Sequence, residues 1–161
     1  MLEAVEALRA RGTGRRVNIL APSHSPIVIA DPARLQQALA ALLDNAAKYS
    51  PPELPIDVHL SHDHGHLRIS IADHGPGIPE AERERVFDKF HRLDPNMTNG
   101  ISGSGLGLHI ARGLTAAMAG KTWIEPTHHD GTGTTIHLQL QLANPKQHSP
   151  SSELAEAGNS S

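Results

Sequence analysis

The sequence predicts an α/β domain with a single core, and three observations predict it. Short runs with alternating apolar residues, such as Leu67, Ile69 and Ile71, have the two-residue period of half-buried strands. Another segment places Leu35, Leu39, Leu42, Leu43 and Ala46 on one helical stripe. The chain is 161 residues long and 38% hydrophobic, a size that suits one core and would be cramped for two.

Composition narrows the function classes. The formal charge is −3 and there is no Lys/Arg-rich run, which argues against nucleic acid or an anionic membrane surface as the main partner. Without cysteine, neither disulfides nor thiolate metal sites can form. No apolar run approaches the length of a membrane span and the amino terminus lacks a signal-peptide pattern, so a cytoplasmic domain with no direct membrane contact is expected.

Taken in order, Leu2 to Arg11 has helical spacing and is stopped by Gly12 and Gly14. Val17 to Leu20 and Ile27 to Ala30 read as two short strands set apart by Pro22 and Pro26. Asp31-Pro32 is a helix start, with an acceptor at the cap and proline in the first turn. The apolar stripe runs from there to about Tyr49, and Ser50-Pro51-Pro52 ends it. A second face of this helix carries Asn45, Lys48 and Tyr49 at i, i+3 and i+4, so an amide, an ammonium and an aromatic ring meet in one patch. On helix pattern alone, a solvated lysine beside an edge-packed tyrosine accounts for them. As a site, the amide oxygen suits magnesium, the lysine neutralises phosphate and the ring packs on a base.

Ile56 to Leu60 and Leu67 to Asp73 read as a hairpin joined through Ser61 to His66. The three histidines of that loop are read as exposed polar residues, since no further ligand stands at a fixed spacing. Asp73 continues the inward row of Leu67, Ile69 and Ile71, so a carboxylate points into the core. Such a group is either satisfied by backbone donors or kept to grip a ligand. The following Gly75-Pro76-Gly77 favours a ligand, because glycine lets one approach the backbone closely. The spacing alone is weak, and an Asx-turn explains it about as well.

Pro79-Glu80 opens a short acidic helix, and Val86, Phe87, Phe90 and Leu93 follow at helical spacing, the phenylalanines reading as core plugs. Asp94 to Gly103 is a polar connection. Gly103-Ser104-Gly105-Leu106-Gly107-Leu108 then leads into a helix that runs to about Ala119, with Gly120 as its stop. Glycines ahead of a helix expose backbone donors at the positive end of its dipole, which suits a polyphosphate. Lys121 to Glu125 is a strand, His128 to Gly133 a turn, and Thr134 to Leu142 a strand with Ile136, Leu138, Leu140 and Leu142 inward. Thr134 shares their parity, and its hydroxyl faces the same interior as Asp73. The expected domain is 1–143, followed by a disordered polar tail, 144–161.

The ordered set resembles the catalytic ATP-binding domain of sensor histidine kinases, in the superfamily shared with gyrase, the Hsp90 chaperones and MutL. Residues 42–51 look like its N box, Asp73 to Gly77 its first glycine box, Phe87 to Arg92 its F box, Gly103 to Leu108 its second glycine box, and Gly131 to Thr134 its closing motif. The resemblance implies a two-layer α/β sandwich of the Bergerat type, a mixed sheet backed by about three helices, with a mobile lid at about 92–104. It further implies that Asp73 accepts from the adenine amino group and that Asn45 ligates Mg2+. Lys48 meets phosphate, Tyr49 flanks the base, and Arg92 is a further phosphate contact. Gly75 and Gly77 shape the first glycine box. Gly103, Gly105, Leu106, Gly107 and Leu108 form the second, in which Gly105 and Gly107 present backbone donors to the phosphates of ATP. Thr134 supports Asp73, and the catalytic roles fall on Asn45 and Lys48.

Two departures accompany the resemblance. Ala41 stands where the family usually carries a second Asn, which weakens the expected magnesium shell. None of the twelve histidines has the sequence context of a phosphoacceptor. The chain is therefore expected to be monomeric, and to transfer the γ-phosphoryl group of ATP to a histidine on a separate phosphoacceptor domain and through it to a response regulator, either as half of a split kinase or as an excised catalytic domain. A non-catalytic nucleotide-binding module, and a serine kinase of the anti-sigma-factor type, are the alternatives. Ala41 argues against a water-activating ATPase, since those relatives carry an acidic base at that position.

Overall fold

The computed structural model describes residues 15–23, 26–93 and 104–143. Five strands, β1 (Val17–Leu20), β2 (Ile56–Asp63), β3 (His66–Ala72), β4 (Lys121–Pro126) and β5 (Thr134–Gln141), form one sheet in the order β1-β2-β3-β5-β4. β1 and β2 run parallel and every other pair antiparallel, so the sheet is mixed. A parallel pair needs a crossover, and helix α1 (Pro32–Tyr49) lies in the segment that supplies it. Helix α2 (Gly107–Ala117) and two 3-10 turns, Glu80–Glu82 and Arg85–Phe87, complete the helical layer among the described residues. None of the described helices is long and apolar enough to cross a membrane.

Register builds the core. Leu67 pairs with Leu140, Ile69 with Leu138 and Ile71 with Ile136, which lays two inward rows side by side, and all six residues are buried. Ala38, Leu39, Leu42, Leu43 and Ala46 of α1, with Leu108 and Ala111 of α2, are buried in the same cluster. The start of α1 follows its capping chemistry: Asp31 accepts from the Arg34 backbone N–H at 3.1 Å, and Pro32 occupies the first turn.

Four expectations are corrected. The β2–β3 ladder continues until only His64 and Gly65 are left to turn, both with positive φ (46° and 80°), the pattern whose twist matches a two-residue hairpin. Ile27 to Ala30 does not form a strand and makes one bridge, Val28 to Leu142, flanked by bonds from Ile29 N–H to Gln141 and from Ala143 N–H to Ile27. The run is too short for more, held between Pro26, which has no N–H, and the Asp31 cap. The acidic helix is two 3-10 turns instead. Asp88 is extended after the second turn (ψ 146°), so Val86 and Phe87 are buried while Phe90, at φ 63°, is 64% exposed and Leu93 45% exposed. Phe90 is therefore not a core plug. The fourth correction is at the end of α2, where Ala119 rather than Gly120 takes the left-handed conformation (φ 55°) and the Gly120 N–H closes onto Thr115 O at 2.9 Å.

A left-handed alanine carries strain that glycine does not. Ala119→Gly is expected to stabilise the fold by about 1 kcal/mol, read as a higher urea midpoint at unchanged slope. A lower midpoint would show that the helix end relaxes some other way.

The opposite face of the sheet carries a polar and aromatic group. Trp123 stacks on His137 at 4.8 Å between ring centroids, and the Arg68 guanidinium lies 5.2 Å from the Trp123 ring centroid. Burial under that ring holds the His137 imidazole below its ordinary pKa, against the pull of Glu125. The expected helix over Leu2 to Arg11, the polar tail, Gly103 and most of the lid lie outside the described residues.

Candidate functional site

A cavity of about 500 Å³ is lined by the carboxyl-terminal half of α1, the turn after β3 and the start of α2. Asp73 stands at the end of β3 on its inward row and is 2% exposed. Its Oδ1 accepts both local backbone donors, Gly75 N–H at 2.8 Å and Thr134 N–H at 3.0 Å. Among the described residues Oδ2 accepts none, and Asp73 lines the cavity. One oxygen is thus spent on holding the turn, and the other is left for a ligand that donates. Burial pushes this carboxyl above its usual range, opposed by the same two N–H groups and by His74.

On α1, the i, i+3, i+4 spacing delivers Asn45, Lys48 and Tyr49 to the cavity wall together. The Lys48 ammonium lies 5.3 Å from the Tyr49 ring centroid. Burial, and then the nearby Arg92 cation, hold Lys48 below its ordinary pKa. Arg92 lines the same cavity, so two cations stand on its wall together with the Asp44 and Asp73 carboxylates. Gly77, Gly105, Gly107, Leu108 and Thr134 are also on the wall. Leu106 is not; it stands at the N-cap of α2, and its side chain makes no capping hydrogen bond. The first amides of α2 are the donors a helix of this length leaves unsatisfied at its positive end.

Gly75 is not on the wall either. A Cβ there would fall 2.6 Å from Tyr49 O, so its lack of a side chain lets the Asp73 turn close against the end of α1. Ser50, 4% exposed, ties the same two pieces, accepting the His74 N–H on Oγ at 3.3 Å. Thr134 meets Asp73 through its backbone N–H, whereas sequence parity pointed to its hydroxyl.

Asp44, Ile78, Val86, His91, Leu93 and Ser104 line the cavity without having been singled out in the sequence. Val86 reads in the sequence only as an apolar position at helical spacing, and Asp44 only as part of the run 42–51 beside Asn45. His91 lies inside the F-box run Phe87 to Arg92 without a role of its own there; its Nε2 sits 2.8 Å from the Glu82 carboxylate. Among the described residues no three His, Asp or Glu side chains group to hold a metal. Asp44 and Asn45 do place oxygen-bearing side chains on the wall, the donor type a hard divalent cation takes alongside phosphate oxygens.

The family model of histidine kinase-, DNA gyrase B- and HSP90-like ATPases matches residues 30–144. The chain belongs to this family. As a histidine kinase-like ATPase domain it is 37% identical to the adaptive-response sensory kinase SasA of Nostoc sp. over 133 residues, which are 81% of the chain and 33% of SasA. It is 40% identical to the signal transduction histidine-protein kinase/phosphatase MprB of Mycolicibacterium smegmatis over 116 residues, 70% of the chain and 23% of that protein. Among solved structures, the mycobacterial sensor histidine kinase MprB superposes with a TM-score of 0.74 at 34% identity, covering 87% of this chain and 90% of that one. Full-length ShkA in complex with AMPPNP superposes at 0.72 and 30% identity, covering 88% of this chain and 29% of that one. The chain thus spans about a third of the length of SasA, and it matches the ATP-binding catalytic domain of two-component sensor kinases.

Proposed function

We propose that this domain binds ATP with Mg2+ and transfers the γ-phosphoryl group to a histidine on a separate phosphoacceptor domain, which then serves a response regulator. The observation that carries the reading is one cavity holding a buried carboxylate with a vacant acceptor oxygen, two cations and the uncapped start of a helix. The carboxylate suits the exocyclic amino group of adenine, and the cations and helix amides suit a polyphosphate. ShkA, of comparable fold, was solved with an ATP analogue.

In this reading Asp73 Oδ2 accepts from the base and Tyr49 packs beside it. Lys48, Arg92 and the backbone N–H groups of Gly105 and Gly107 orient and neutralise the phosphates. Asn45 holds the divalent cation, with Asp44 beside it; when bound, that ion offsets charge that builds up on the phosphate oxygens. Transfer breaks the bond between the γ-phosphorus and the β–γ bridging oxygen and forms a phosphorus–nitrogen bond to the imidazole. ADP leaves, and the imidazole proton passes to a base on the acceptor domain. Positioning and charge neutralisation are what such a step needs, so a protein nucleophile is not required.

Ala41 favours a second reading, nucleotide binding without transfer. It lines the cavity with a methyl group and supplies no donor there. Calorimetric titration of the whole chain with ATP, in Mg2+ and in EDTA, followed by incubation with labelled ATP and an isolated phosphoacceptor domain, separates the readings. Binding strengthened by Mg2+ and acid-labile label on the acceptor domain are expected. Binding without label would support the second reading, and a folded chain that binds no ATP would overturn both.

A further inference from the structure

The carboxyl end of α1 has no glycine cap. Ser50 closes it in an extended conformation (φ −79°, ψ 142°), donating its N–H to Ala46 O at 3.0 Å. The carbonyls beyond that point have no intrahelical partner. Two of them, at Ala47 and Ser50, are taken up from outside the helix by one side chain, which also reaches the loop beyond. Arg15 Nη2 donates to Ala47 O at 2.6 Å and to Ser50 O at 2.5 Å, while Nη1 donates to Pro51 O and, at 3.4 Å, to Leu54 O. These contacts span more than thirty residues of sequence. Arg15 stands two residues ahead of Val17, the start of β1, and the neighbouring Arg16 O accepts the Ile56 N–H at 2.9 Å, so its backbone is anchored to the sheet.

The last two turns of α1 that this guanidinium holds are the ones that carry Asn45, Lys48 and Tyr49 to the cavity. A planar cation that donates to several carbonyls at a helix's negative end fixes both the position and the rotation of that end. We propose that Arg15 is a positioning residue for nucleotide binding: it sets the carboxyl end of α1, and thereby the side chains that meet the phosphate and metal end of ATP. The inference rests on the nucleotide reading of the cavity and extends it to a residue outside the cavity.

Asp73 provides an internal control. Its carboxylate takes its hydrogen bonds from Gly75 and Thr134, neither of which Arg15 touches. Loss of Arg15 should therefore weaken the phosphate end more than the base end, which α1 reaches only through Tyr49 and the bond from His74 N–H to Ser50 Oγ. The test compares the affinities of the full chain, Arg15→Ala and Arg15→Lys for Mg-ATP and for adenosine, at a temperature where melting curves show each to be folded. In Arg15→Ala, Mg-ATP affinity should fall about tenfold or more and adenosine affinity by less than about threefold, the scale of losing charged hydrogen bonds at one end of the ligand only. Arg15→Lys should fall between, because an ammonium cannot serve the splayed carbonyls as a guanidinium does. Unchanged Mg-ATP affinity, or equal loss for the two ligands together with a lower melting temperature, would reduce Arg15 to a helix cap and overturn the inference. If Arg15→Ala does not fold, Arg15→Lys decides on the same criterion. A parent chain that binds neither ligand would overturn the nucleotide reading, and the inference with it.

Discussion

Asp73→Asn is expected to abolish tight ATP binding without weakening the fold. Both backbone donors, Gly75 N–H and Thr134 N–H, fall on Oδ1, and an asparagine oxygen can accept both in the same place, without the carboxylate's charge. That leaves the Nδ2 amide in the place of Oδ2, a donor facing the donor of the adenine amino group. Affinity for ATP should drop at least about a hundredfold, near 3 kcal/mol, since a charged hydrogen bond is lost and two donors are opposed. Stability should move the other way. Burial raises the Asp73 pKa above its unfolded value, so this group's contribution to stability is present in acid and is lost as pH rises through the folded-state pKa. Above that pKa the ionised side chain costs the fold stability, and the amide removes that cost. The ligand-free variant should melt at or above the parent temperature at pH 7, and lose the parent's advantage in acid. A variant that keeps ATP affinity would remove Asp73 from the base-reading role, and one that melts much lower would mean that the carboxylate charge holds the turn.

Gly77→Ala should unfold or strongly destabilise the domain, by about 3 kcal/mol or more, because two penalties coincide. Its φ is 83°, a conformation in which a side chain is strained, and a Cβ would fall 2.2 Å from Gly131 O, a backbone atom that cannot swing aside. A fall in melting temperature of about 10 °C or more, with ATP binding lost alongside, is the expected result. Gly107→Ala is the comparison. Gly107 begins α2, has nothing within 4 Å of a built Cβ, and should gain helix stability of about 0.5 to 1 kcal/mol. Equal effects of the two substitutions on folding would show that the close approach of the Asp73 turn to the Gly131 loop is not what holds these segments together.

These two glycines show where sequence reading reaches its limit. Gly75, Gly77, Gly105 and Gly107 look alike in the chain, as flexible residues beside an anion. In the fold Gly75 packs under the end of α1, Gly77 packs under a carbonyl 54 residues away, and Gly107 meets no close neighbour. Nothing in a local pattern distinguishes these, because the neighbour that matters comes from another part of the chain. Arg15 is a stronger case: its acceptors lie 32 or more residues away, and no spacing rule links them. Ile78 reaches the cavity in the same unannounced way.

The elements legible in the chain are those whose signals are local. Period-two alternation placed β2, β3 and β5 with the correct residues inward, the Asp31-Pro32 cap and apolar stripe placed α1, and the row of Leu67, Ile69 and Ile71 carried Asp73 into the interior. These are set by backbone geometry and solvent exclusion within a few residues. The remaining features came from the fold: that among the described residues Oδ1 of Asp73 accepts hydrogen bonds and Oδ2 accepts none, that Lys48 and Arg92 share one cavity, that Phe90 points outward, and that Arg15 closes α1. Each of these depends on which distant atoms a side chain meets, and those partners exist only once the sheet has brought the segments together.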